Sequence, residues 1–192
     1  MNLIKEAYEK SIETIESCST PHGLFASGGI SGYNAVWARD SIITGIGASL
    51  IKNKFKQVFK QSLITLAKNQ SKKGQIPNAV DKYSKRKPHV DFKSIDSTLW
   101  FIIGHYIYKS KYNSSELFNN YKNNIEKALL WLSYQDMGED SMLEQLPTTD
   151  WQDAFPHKYG HTINTQALYY RVLNLTNNKK QADKLDKAVN NS

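Results

Sequence analysis

The chain has 192 residues, 40% of them hydrophobic, and its 25 Lys and Arg against 18 Asp and Glu give a formal net charge of +7. That size and composition predict one domain with a sizeable core. A membrane span is excluded by the lack of any run of about 18 apolar residues, and "MNLIKEAYEK" sets Glu6 and Glu9 where a secretory leader keeps its apolar stretch.

The positive charge is spread over scattered lysines, with one denser stretch, "DKYSKRKPHVDFK", at 81–93. It has neither the Arg content nor the interleaved aromatics of a nucleic-acid face, so neither nucleic acid nor membrane is an expected partner. The lone Cys18 excludes an intrachain disulfide and predicts a buried structural thiol in a cytoplasmic protein.

Along the chain, "NLIKEAYEKSIETIESC" brings Ile4, Ala7, Tyr8, Ile12, Ile15 and Cys18 to one face at spacings of three and four, a surface helix. "DSIITGIGASLI", residues 40–51, is almost free of charge after Asp40 and reads as a helix buried on all sides, with Gly45 and Gly47 allowing neighbours to approach. Residues 54–70 form an amphipathic helix, 94–108 an apolar one, and 115–134 another amphipathic one with the stripe Leu117, Tyr121, Ile125, Ala128, Leu129 and Leu132. Residues 162–175 are apolar again, and "KKQADKLDKAV" ends the chain as a polar helix.

Strand periodicity never lasts beyond about five residues, so the predicted class is all-α. Buried and surface helices alternate with a unit of about 55 to 65 residues, longer than the common solenoid periods, which predicts a partial array of helical hairpins: an arc of inner helices backed by outer ones.

The connections into the inner helices are long: residues 21–40, 72–96 and 135–161. Loops of that length inside a compact domain are commonly functional. Each feeds the N-terminus of an inner helix, so all three are expected on one face, together with Trp37, Arg39, Asp40, Asn78, Asp96, Trp100, Asp150, Trp151, Asp153 and His161. Carboxylates beside indole rings suit a sugar: Asp accepts hydroxyl hydrogen bonds, Arg offers a planar fork of donors, and Trp covers the apolar face of a pyranose. Each residue also has a plainer role, Asp40 and Asp96 as helix caps, Arg39 as an ion-pair partner, Trp100 as core and His161 as part of a helix start.

The motifs resemble those of the six-hairpin glycosidases, the (α/α)6-barrel enzymes that include glucoamylases and the amylo-α-1,6-glucosidase part of glycogen debranching enzymes. "VWARDS" is similar to their Trp-x-Arg-Asp motif, "GQIPN" to the Gly-x-Ile-Pro loop, "DSTLWFI" to the Asp-x-Ser/Thr-x-Trp helix, and "DWQDAF" with "GHTINTQALYYRVL" to the acid loop and its helix. The resemblance implies an exo-acting, inverting glycoside hydrolase of α-glucan or an oligosaccharide. It implies Arg39 and Asp40 as the clamp on the terminal sugar, Trp37, Trp100 and Trp151 as its lining, and Asp153 as general acid with Asp150 in reserve. Asn78, Asp96 and His161 complete the expected sugar contacts.

Inversion needs two carboxyl groups about 6.5 to 9.5 Å apart, and burial by Trp151 and Phe155 is expected to keep Asp153 protonated. The family barrel has twelve helices and carries its general base in the later half, so the expectation is an N-terminal half-barrel lacking that base. It would be completed by a second chain or a second copy of itself, or else would be a non-catalytic carbohydrate-binding or interaction module. No metal or cofactor is expected.

Overall fold

A computed structural model describes residues 3–27, 33–81 and 89–190, so residues 28–32 of the first connection and residues 82–88, the centre of the basic stretch, lie outside the described part. The fold is mostly α-helical: α1 (Leu3–Ser17), α2 (Ala38–Ala48), α3 (Lys56–Lys68), α4 (Asp96–Lys111), α5 (Glu116–Asn120), α6 (Lys122–Ser133), α7 (Ile163–Leu175) and α8 (Lys179–Asn190). The predicted helix at 115–134 is two helices, since the backbone at Tyr121 leaves helical geometry with φ −114° and ψ 17°.

Helix α2 packs on α4, and α4 on α7, forming an inner row; α3 backs α2 and α4, α6 backs α4, and α8 backs α7. The alternation of inner and outer helices predicted from hydropathy is therefore present. At the centre of the row, α4 buries Leu99, Phe101, Ile102 and Ile103, each such side chain contributing about 1.5–3 kcal/mol. Gly45 lets α2 approach α3 closely, because a Cβ there would stand 2.3 Å from the Phe59 ring.

Only α4 is enclosed as its composition suggested. On α2, Ala38, Ser41, Ile42, Gly45 and Ala48 are buried but Ile43 is exposed, as is Leu50 just beyond its end, and on α7 Ile163 and Tyr170 are exposed. A half-barrel standing alone is expected to leave the apolar sides of the helices at 40–51 and 162–175 uncovered, and this chain covers one side of α2 and α7 and leaves the other bare. Likewise α1 has no buried residue, and Cys18 lies past its end, half-buried, so the thiol is not a core group.

Among the described residues, five strands of two residues each stand in or just before the long connections, too short to register as a period. Strands β1 (Ser19–Thr20) and β2 (Gly23–Leu24) form a hairpin. Strands β3 (Val36–Trp37), β4 (Ala79–Val80) and β5 (Val90–Asp91) form an antiparallel sheet in the order β3-β4-β5. That sheet joins the first and second connections by backbone hydrogen bonds. The start of the second connection is anchored on α6, where Gly74, at φ +104°, lies so close that a Cβ would be 2.2 Å from the Lys127 carbonyl oxygen. Beside it, Gln70 donates to the Gly74 and Asn124 carbonyls at 2.8 and 2.9 Å, and Asn124 returns a bond to Gln70 at 2.8 Å.

His105, fully buried in α4, donates from Nδ1 to the Phe101 carbonyl at 3.1 Å, and burial lowers its pKa from 6.5 to about 4 despite that bond. Its protonated form is therefore penalised in the fold. As pH falls below 6.5 the unfolded chain binds a proton that the native chain refuses until about pH 4, so stability declines across that window, by about 3 kcal/mol when complete. His105→Phe removes the titration, and the drop in urea midpoint between pH 7 and pH 4.5 should be smaller in the variant than in the wild type.

Candidate functional site

The entrance to α2 supplies Trp37 from β3, then Arg39 and Asp40 from the first helical turn. Trp37 occupies the cap position without a side-chain cap bond, so Asp40 is not the cap but an acid in the first turn, where the helix dipole favours its charge. Asp96 is not a cap either; that position is Ile95.

Asp96 is 0% exposed. It accepts a bond from Arg39 Nη1 at 2.9 Å through one oxygen and from Ser94 Oγ at 2.5 Å through the other. An ionised carboxylate buried to that degree needs such partners. The pair also spans the chain, locking the entrance of α2 to that of α4. The third connection joins at the same place, since the Ile95 amide donates to the Thr149 carbonyl at 2.8 Å, one residue before Asp150.

Asn78, also buried, fastens the same junction. Its side chain donates to Asp91 at 3.0 Å and accepts from Ser97 at 3.5 Å, while its carbonyl receives the amide of Ala38 at 2.9 Å. The convergence of the three loops expected from helix polarity is thus made by named bonds: β3-β4-β5 and Arg39–Asp96 for the first two, Ile95–Thr149 for the third. Ser94, Ser97, Asp91 and Thr149 were absent from the expected set. Only the proximity of Ser94 to Asp96 in sequence hinted at a role.

Arg39 and Asp40 line a cavity of about 450 Å³ with Cys18, Phe25 and Thr44. Trp100 is half-buried against the core. The His161 ring stands 3.5 Å from Asp140 and 3.6 Å from Glu144, at the base of the third connection.

In that connection Asp150 is 3% exposed and its Oδ1 accepts the Gln152 amide at 2.8 Å, closing a turn. Lys158 donates to the Gln152 side chain. Trp151 is 52% exposed, and Phe155 and Asp153 are exposed as well. The burial that was to hold Asp153 protonated is therefore not provided by Trp151 and Phe155 in this chain. Among the described residues no hydrogen bond or ion pair joins Asp153 to Arg39 or Asp40.

A family model described as amylo-alpha-1,6-glucosidase matches residues 9–190. The chain belongs to the amylo-alpha-1,6-glucosidase family. Membership gives it a glycosidase-type function directed at carbohydrate, and the match runs through all three connections. No curated protein matches the chain. Among the described residues no helix is long and apolar enough to cross a membrane, and no group of three or more His, Cys, Asp or Glu is placed to hold a metal ion.

In this member of the amylo-alpha-1,6-glucosidase family, the stretch bearing Asp150 and Asp153 is closed at its neck. Gln145 and Gly160 exchange two backbone bonds of 3.1 and 2.8 Å. Gln145 Oε1 accepts the hydroxyls of Thr162 and Thr165, both at 2.6 Å, and Gln166 bonds the Leu143 amide and carbonyl at 3.0 and 2.7 Å. Residues 146–159 thus form a loop tied to the first turns of α7.

Two outcomes follow from this geometry. Arg39→Met leaves the Asp96 carboxylate buried without its counter-charge and is expected to lower stability by about 3–5 kcal/mol, with Arg39→Lys losing less, as read from urea midpoints. Gln145→Leu unties the neck: amide hydrogen exchange across 146–159 should accelerate while the amides of α4 keep wild-type protection.

Proposed function

We propose that the chain provides the sugar clamp and the general acid of an exo-acting, inverting glycoside hydrolase acting on α-glucan. The observation that carries this reading is the Arg39–Asp96 ion pair at the junction of three connections, which fixes a guanidinium beside Asp40 in a cavity within a chain of the amylo-alpha-1,6-glucosidase family. In this scheme Asp96 and Asn78 position the clamp and Arg39 and Asp40 touch the terminal sugar. Trp37 and Trp151 cover its apolar faces. Arg39 is suited to the task because one Nη is held by Asp96 while the guanidinium carries further donors.

Asp153 is preferred over Asp150 as the acid. Asp150 is sealed inside its turn, whereas Asp153 is accessible to a glycosidic oxygen. It transfers its proton to the leaving oxygen as the C1–O bond breaks, and a water molecule attacks C1 from the opposite face, losing a proton to a second carboxylate. We assign that second carboxylate to further hairpins that pack on the bare apolar sides of α2 and α7 and extend the row toward an (α/α)6 toroid. The exposed Ile163 and Tyr170 support such a contact.

A second reading, a sugar-binding module without chemistry, is favoured by the exposure of Asp153 and Trp151, which leaves the acid without the desolvation a general acid near neutral pH needs. Hydrolysis of malto- and isomalto-oligosaccharides, by the chain alone and with its neighbouring gene product, separates the two. The enzyme reading expects glucose release that falls by 100-fold or more in Asp153→Asn, roughly the contribution of a positioned acid, with oligosaccharide affinity retained. Equal turnover in Asp153→Asn would remove that residue from the chemistry, and binding without any turnover would establish the module.

A further inference from the structure

A second cavity, of about 320 Å³, opens beside the acid-bearing loop and is separate from the Arg39–Asp40 cavity. Its walls come from the elements that meet there: Gln75 and Phe92 from the second connection, Trp131 from the last turn of α6, Gln135 from the start of the third connection, and Gln145 and Leu146 from the neck of the acid-bearing loop. We propose that this cavity is a second carbohydrate site, holding a glycosyl unit of the glucan at the rim of the clamp; the inference rests on the glucan reading given above.

Two observations carry it, and a third belongs to the neck of the loop beside it. The first is chemical: two aromatic side chains and three carboxamides share one small space, the combination that covers the apolar face of a pyranose while exchanging hydrogen bonds with its hydroxyls. The charge of the lining is one lysine, Lys93, against one carboxylate, Glu144, and Glu144 already accepts the Met137 and Gly138 amides at 2.7 Å each. Such a balance suits a neutral polyhydroxyl ligand, since a phosphate site gathers donors of one sign. The volume lies at the small end of ligand clefts, which run from roughly 300 to 1,000 Å³, as a single glycosyl unit requires.

The second is that the walls are held in place before any ligand arrives. Gln75 donates to the Phe92 carbonyl at 2.5 Å, Gln135 to the Trp131 carbonyl at 3.1 Å, and the Glu144 amide to the Gln135 carbonyl at 2.8 Å. Both glutamines are thus fixed through nitrogen, and among the described residues neither of their amide oxygens accepts a hydrogen bond. Those oxygens are acceptors for sugar hydroxyls.

The third is an unmet need. Gln145 is 4% exposed, its oxygen takes two threonine hydroxyls, and its amide nitrogen has no partner among the described residues. Reversing the amide would move the deficit to the oxygen without removing it, because hydroxyls both donate and accept. That nitrogen is itself out of reach of solvent, so the unmet need marks the neck of the loop and adds no donor to the cavity.

Calorimetric titration of the chain with maltotriose and with isomaltotriose tests the assignment. Leu146→Trp is built to fill the cavity from its lip, where Leu146 is 66% exposed and a larger side chain does not disturb the core. Gln135→Ala removes one acceptor, and Asp40→Asn reports on the clamp. The expected result is a second class of sites that disappears in Leu146→Trp and binds roughly 3- to 10-fold more weakly in Gln135→Ala, while Asp40→Asn weakens the other class only. Wild-type stoichiometry and affinity in both cavity variants, with loss of binding in Asp40→Asn, would overturn the second site and leave the glucan reading standing. Binding lost in Leu146→Trp but untouched in Asp40→Asn would establish the cavity and overturn the clamp. Wild-type chain that binds neither sugar would overturn both.

Discussion

One buried carboxylate organises this protein. Asp96 is removed from water at the start of the central inner helix, where the dipole of α4 favours its charge, and it is neutralised by an arginine 57 residues earlier in the chain. Burying an ion is unfavourable unless its lone pairs are met, so Ser94 and Arg39 are as much requirements of the fold as ornaments of a site. The neighbouring Ile95–Thr149 bond then hangs the third connection on the same post. A junction of this kind confers register on loops that have little regular structure of their own: once Asp96 is placed, Arg39, Asp40 and the approach to Asp150 follow.

The same economy explains the short strands. Long connections carry backbone amides and carbonyls that need partners wherever they run under other chain segments. Pairing residues 36–37 with 79–80, and 79–80 with 90–91, satisfies some of these groups and at once sets two connections side by side. Two-residue strands are enough for this because their neighbours are fixed independently, by Asn78 at one end and by the packing of Gly74 on α6 at the other. The polar bonds of the loop face and the apolar contacts of the helix rows therefore stabilise one another.

Much of this was legible in the sequence. The periods of three and four residues marked the helices, the uneven lengths of the connections marked the face, and "VWARDS" with "DSTLWFI" pointed to the family whose model matches residues 9–190. What stayed hidden was pairing. That a half-barrel leaves apolar sides of α2 and α7 bare follows from its missing hairpins, but which side chains stand there, Ile43 and Ile163 among them, does not follow from periodicity. Residue type marked Asp40, Asp96 and Asn78 alike as sugar ligands, while only coordinates distinguish an aspartate whose two oxygens are both engaged within the protein from one that lines a cavity. Gln145 drew no notice because a glutamine in a polar loop is ordinary until its hydrogen bonds are known. The break at Tyr121 was equally invisible, since a stripe at 117, 121 and 125 continues across it.

The two aspartates of the third connection show how environment divides chemically identical groups. Asp150 is enclosed and has one oxygen committed to the Gln152 amide, which suits it to a structural task. Asp153, three residues on, stands in water beside an exposed indole. A general acid at neutral pH needs an apolar surround to remain protonated, and on the function proposed for this chain the surround is supplied by the reaction partners. On that proposal a sugar laid against Trp151 would cover the now exposed Asp153. The loop tied at Gln145 and Gly160 carries Asp153 and Trp151 on one stretch, so on the proposed function acid and indole would meet the substrate together.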